Sequence, residues 1–107
     1  MKKTTKSING TSFHGVTIIA TVADLTAVCG QPDFGENQGS DKVNFEWVME
    51  TSTGEVFTIY DWKEYRSLKD NEEIEWHIGG YEKTDTLNAY KEVATALLNK
   101  KTKKAEI

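Results

Sequence analysis

The sequence predicts an α+β domain: an antiparallel sheet of about four strands, in the order β-α-β-β-β-α, with two helices on one face. Three features point there. From Val43 to Glu50 apolar and polar residues alternate, with Val43, Phe45, Trp47 and Met49 on one side and Asn44, Glu46 and Glu50 on the other. Thr51-Ser52-Thr53-Gly54 then reads as a hairpin turn into a second apolar run, Glu55 to Lys63. Towards the end, Leu87, Tyr90, Ala94, Leu97 and Leu98 recur at helical spacing.

In chain order, residues 1–9 are expected to be a disordered basic N-terminus, residues 10–99 one domain, and residues 100–107 a Lys-rich C-terminal tail. Phe13, Val16, Thr17, Ile18 and Ile19 suit a pleated surface, so a strand is predicted over 13–20, with Gly10 and Gly15 allowing a turn and a bulge. Thr21 and Asp24 form a helix-capping pattern ahead of Val22, Leu25 and Val28. Gly30 and Pro32 end the helix, which is placed at 22–29. Residues 31–41 read as a loop. The return strand over 55–63 is apolar on both faces, Phe57 and Ile59 on one, Val56, Tyr60 and Trp62 on the other. Such a strand is central, or one of its faces receives a partner or ligand. Residues 64–73 are charged and read as an exposed connection. Ile74, Trp76 and Ile78 alternate with Glu75 and His77 in a further strand that ends at Gly79-Gly80, and Thr84 or Asp85 caps the last helix. Two helices on one face leave the other face of the sheet open, and aromatic side chains left there are the raw material of a binding site.

Composition narrows the class. The chain has 107 residues, 37% of them apolar and 28% charged, enough for one modest core. No apolar run approaches the roughly 18 residues of a membrane span, and the segment after Met1-Lys2-Lys3 is polar, so no secretory signal is expected. A single cysteine, Cys29, makes no internal disulfide, fits a reducing cytoplasm and reads as a small packing residue. The net charge of −4 hides an asymmetry: residues 7–99 hold six basic and sixteen acidic side chains, a balance of −10. An acidic body repels a phosphate backbone, which argues against long nucleic acids as partners.

The segments Ile8-Asn9-Gly10-Thr11-Ser12, Cys29-Gly30-Gln31-Pro32, Lys42-Val43-Asn44-Phe45-Glu46-Trp47, Thr58-Ile59-Tyr60-Asp61-Trp62-Lys63 and Trp76-His77-Ile78-Gly79-Gly80 follow one another in this order. With the closing helix they resemble a group of small uncharacterised proteins encoded by tailed bacteriophages. The resemblance spans most of residues 8–98, and its specific part is the Tyr-Asp-Trp-Lys and Trp-His-Ile-Gly-Gly pair. It implies an origin rather than a mechanism: a product made in the cytoplasm of an infected bacterium.

The chemistry-bearing residues gather at two strand ends. If those strands are neighbours, Trp62 and Trp76 form an aromatic platform beside Tyr60, with Asp61, Lys63 and His77 at its rim. Indole faces stack on nucleobases, Lys63 or Arg66 meets a phosphate, and the Gly79-Gly80 amides admit an anion. The competing reading makes Trp47, Trp62 and Trp76 plain core. Asp61 and His77 also suit an acid–base pair. His14 reads as surface or packing, and two histidines and one cysteine, widely separated, make no metal pattern. No phosphate loop, dinucleotide fingerprint or Ser-His-Asp spacing is present, so neither catalytic residues nor a cofactor are expected. The leading expectation is therefore a non-catalytic phage protein that counters a bacterial defence by sequestering a nucleotide signal. The alternatives are an acidic inhibitor of a host defence protein or nuclease, and a small hydrolase using His77 and Asp61. A second copy covering the open face is a further expectation.

Overall fold

A computed structural model describes residues 1–105, with side chains through residue 101. The elements are β1 (Lys2–Lys3), β2 (Ser12–Ala20), α1 (Val22–Cys29), β3 (Phe34–Gly35), β4 (Phe45–Glu50), β5 (Val56–Tyr60), β6 (Ile74–Gly80) and α2 (Lys83–Ala105). All strand pairs are antiparallel, in the order β1-β4-β5-β6-β2, and β3 joins the same side of β4 as β1. The sheet thus has six strands rather than about four. The additional two are two-residue strands, too short to carry any period in the sequence.

The α1 prediction holds to the residue. Thr21 accepts a hydrogen bond from the Asp24 amide at 2.9 Å while the Asp24 carboxylate accepts from the Thr21 amide, a reciprocal cap. Gly30 follows with φ of 84° and its amide donates to the Thr26 carbonyl. At the hairpin, the Gly54 amide donates to the Thr51 carbonyl at 3.0 Å. β5 is central, as its apolar character on both faces suggests.

Strand period sorts the side chains into two faces. Trp47, Met49, Phe57, Ile59, Trp76, Ile78, Ile18 and Ala20 point to one, where they join Val22, Leu25 and Cys29 of α1 and Ala89, Val93 and Leu97 of α2 in a single core. The rings of Trp47 and Trp76 meet edge to face, 5.4 Å between centroids at 76°. Each indole N–H is bonded inside the fold, Trp47 to the Gly30 carbonyl at 2.8 Å and Trp76 to the Ala20 carbonyl at 2.9 Å. Helix α2 packs on β2, β6 and β5 and touches α1. No helix among the described residues is long and apolar enough to cross a membrane.

Two segments depart from expectation. Residues 1–9 are not disordered: besides the pairing of β1 with β4, Lys3 Nζ reaches Asp33 at 2.9 Å and Lys6 Nζ reaches Glu50 at 3.0 Å. Basic side chains laid against carboxylates of the acidic body explain the ordering. The chain then passes the Gly54 and Tyr81 end of the sheet, where Lys6 Nζ donates to the Gly54 carbonyl and the Tyr81 hydroxyl to the Ser7 carbonyl, before entering β2. At the other terminus, residues 100–105 of the supposed tail continue α2, while residues 106–107 lie outside the described residues.

Candidate functional site

The sheet face away from the helices carries an aromatic cluster. His77, on β6, lies opposite Tyr60 on β5 and Thr17 on β2. The Phe13 ring stacks on His77 with centroids 3.9 Å apart and planes at 13°. Trp62 lies over the same imidazole, 6.1 Å away at 25°, and Tyr60 meets both rings edge to face, at 5.5 Å from His77 and 6.1 Å from Trp62. Trp62 remains 41% exposed and Phe13 42%, so the cluster is built yet open to solvent. Two ammonium groups flank its outer ring, Lys42 Nζ at 5.8 Å and Lys63 Nζ at 5.5 Å from the Trp62 centroid. In a body of net −10, two cations beside one exposed indole mark a local exception.

Local backbone geometry presents this group. Lys63 has φ of 57° and Tyr65 φ of 51°, left-handed values that cost a side-chain-bearing residue about 1–2 kcal/mol each. Such strain persists only where surrounding contacts over-determine it, and it clusters at functional sites. Here the contacts are visible. The Lys63 amide donates to the Lys42 carbonyl at 2.8 Å, which holds the two lysines side by side. Just before it, Asp61 is fully buried and accepts from the amides of Asn44 and Phe45 at 2.8 and 2.9 Å and from Asn44 Nδ2 at 2.9 Å. Asn44 Nδ2 also donates to the Arg66 carbonyl, and its Oδ1 accepts from the Gly39 amide. A Cβ on Gly39 would stand 2.5 Å from Arg66 Cα, so only glycine lets these two loops touch. The loop carrying Lys42 and the loop carrying Trp62 and Lys63 are thereby fixed to one another.

Electrostatics on the open face are mixed. Burial pushes the His77 imidazole below its ordinary value, against a smaller opposing pull from Glu75, so the ring is neutral at pH 7. Glu46, opposite Tyr60 on β4, is raised by burial and by the nearby Asp33. Burial and that Glu46 carboxylate raise the Tyr60 phenol.

Of the residues that the sequence brings forward, Tyr60, Trp62, Lys63 and His77 come together on the open face. The others are placed elsewhere. Trp76 is fully enclosed on the core face, because adjacent residues of a strand point to opposite sides and His77 takes the outer one. Asp61 spends both oxygens on Asn44 and Phe45, and among the described residues no hydrogen bond joins it to His77. Arg66 forms a two-pronged ion pair with Glu72, at 2.8 and 2.6 Å, rather than standing ready for a phosphate. Gly79 and Gly80 sit within β6, paired on both sides, and not in an anion-binding turn. Their lack of a side chain serves packing: a Cβ would come within 2.6 Å of Thr58 Oγ1 at Gly79 and 2.9 Å of Thr86 Cγ2 at Gly80. His14 Nε2 lies 3.0 Å from the Gly80 carbonyl.

Sequence reasoning missed Phe13 and Lys42. A register shift between Phe13 and Thr17 hides which way Phe13 points, and nothing local distinguishes Lys42 within its loop. Cys29 is buried, and burial pushes its thiol up to about 11. Among the described residues no cluster of His, Cys, Asp and Glu is placed to hold a metal ion.

Fold and site together define a class: an open antiparallel α+β sheet that displays aromatic rings and lysines on its uncovered face. No protein-family model, no curated protein and no solved structure matches the chain.

Proposed function

We propose that this protein is a non-catalytic binding module that holds a small nucleotide on its open sheet face. The observation that carries the reading is the exposed Trp62 ring, seated on His77 and flanked by Lys42 and Lys63. A nucleobase stacks on Trp62, an interaction worth about 1–3 kcal/mol per base, while the lysines meet the phosphate. A neutral His77 supplies a flat surface beneath the indole and a ring nitrogen for a polar edge. The balance of −10 over residues 7–99 disfavours a long polymer and suits a ligand small enough to sit within the two-lysine patch.

The biological setting follows from the resemblance of the Tyr60-Asp61-Trp62-Lys63 and Trp76-His77-Ile78-Gly79-Gly80 segments to phage-encoded proteins. In the cytoplasm of an infected cell, stoichiometric capture of a nucleotide signal silences the defence that depends on it. The same acidic balance favours a second reading, occupation of a basic host protein by the acidic surface.

Calorimetry with a panel of nucleoside phosphates and a cyclic dinucleotide tests the proposal. Binding is expected for at least one of them, and Trp62→Ala is expected to weaken it by about 5- to 150-fold. Ligand recovered intact after heat denaturation supports capture, whereas altered ligand supports the hydrolase alternative. No binding at millimolar concentration, with a basic bacterial protein captured in a salt-sensitive complex, supports the inhibitor reading instead.

A further inference from the structure

We propose that two copies of this chain associate through the outer edge of β2, fusing their sheets into one with six strands from each copy. The two edges of the sheet are built differently. On one, β1 and β3 both cover β4, Lys2 and Lys3 lie in the edge strand itself, and Asp33 accepts from the Val48 amide at 2.7 Å. Short strands, lysines and capping carboxylates are the usual protection against edge-to-edge pairing. The other edge is β2, nine residues with no Asp, Glu, Lys or Arg, and among the described residues no strand or loop pairs with its outer side. Ile19 stands 55% exposed on it. β2 itself carries no charged side chain, and beyond the register shift between Phe13 and Thr17 its regular stretch, residues 17–20, is the part of this edge open to a copy, with Lys83 and Lys101 at the rims of the grooves beside it.

Helix α2 makes a second copy the fitting occupant. It runs alongside β2 in the same direction: Gly15, Val16 and Thr17 face Leu87 and Tyr90 across a groove of about 410 Å³, and Thr17, Ile18 and Ile19 face Tyr90, Ala94 and Leu97 across one of about 330 Å³. Leu87 and Tyr90 are 42% and 40% exposed beside the bare edge. A two-fold axis perpendicular to the sheet pairs β2 with its copy antiparallel and keeps both helix layers on one side. It sets the two α2 helices antiparallel, with Leu87 and Tyr90 of each directed at the other's groove. A foreign strand would satisfy the backbone of β2 but leave this helical stripe uncovered. The two-fold arrangement covers both with one self-complementary surface and closes, so no fibre grows. It also places the two aromatic clusters on one continuous face.

Native mass spectrometry and light scattering of the full chain at tens of micromolar test this. A dimer of twice the 12.1 kDa chain mass is expected. Ile19→Lys and Tyr90→Glu alter exposed side chains on different elements. Each is expected to raise the dimer dissociation constant about tenfold or more while leaving the circular dichroism spectrum unchanged. A monomeric wild type at that concentration overturns the proposal. So does a dimer that persists in both variants, since its interface then lies elsewhere.

Discussion

Trp62 and Trp76 carry the same ring fourteen residues apart, and their surroundings give them opposite tasks. Trp76 is fully buried, meets Trp47 edge to face and donates to the Ala20 carbonyl; Trp62 leans on His77 with its outer surface in water. Trp76→Ala is expected to cost about 3–5 kcal/mol in urea unfolding, the range for deleting a core aromatic. Trp62→Ala is expected to cost under about 1.5 kcal/mol while weakening ligand binding. Equal losses of stability would place both rings in the core. Asp61 shows the same contrast between appearance and role. As a catalytic partner for His77 it would be expendable to the fold, but it satisfies two backbone amides and the Asn44 side chain in a buried site. Asp61→Ala leaves those donors without partners, so a loss of about 3 kcal/mol is expected in the same measurement. The distinction between Trp62 and Trp76 was legible: Trp76 shares its alternation with Ile74 and Ile78, and His77 necessarily faces the other way. The role of Asp61 was not, because its partners lie sixteen and seventeen residues away, at the start of β4 and just before it.

At the scale of elements, the strong periodic signals gave the right strands and helices, and the failures lie where period is absent. β4, β5, β6 and α1 stand within a few residues of their expected places because alternation, a turn and a capping box each act locally. β1 and β3 exist only because β4 offers an edge to them, a condition written in no short window of sequence. The loop from Asp61 to Arg66 is likewise decided by tertiary contacts, which hold Lys63 and Tyr65 in left-handed conformations. Lys63→Gly relieves that strain without touching the Lys42 carbonyl contact. It is expected to raise stability by about 0.5–1 kcal/mol in denaturant melts and to weaken anion-bearing ligands by removing one of the two cations. A Lys63→Gly variant that melts earlier would mean that the side chain, and not the backbone, stabilises this loop.

Across the whole molecule, α1 and α2 cover one face of the sheet, residues 4–11 close one end, and what remains uncovered is the Phe13, Tyr60, Trp62 and His77 surface. Within that surface the His77 ring is partly buried among Phe13, Tyr60 and Trp62, and this couples the site to global stability. Its pKa in the folded protein lies below the ordinary 6.5, so between those two values the unfolded chain takes up the proton first. The His77 contribution is therefore fully present above pH 6.5 and is lost as pH falls from there through the folded value. Melting temperature is expected to drop over that interval in the wild type and to drop less in His77→Gln. An identical pH profile in the two would show that the imidazole is not desolvated as described.

The central claim concerns which indole meets an outside molecule. A ¹⁵N–¹H spectrum resolves the N–H groups of the three tryptophans, and titration with adenosine and guanosine nucleotides reads each one separately. The account predicts that the Trp62 resonance exchanges fast with solvent and shifts on titration, while those of Trp47 and Trp76, bonded to Gly30 and Ala20, stay protected and unmoved. A Trp62 signal that ignores every nucleotide, or a shift confined to Trp47 and Trp76, would contradict it.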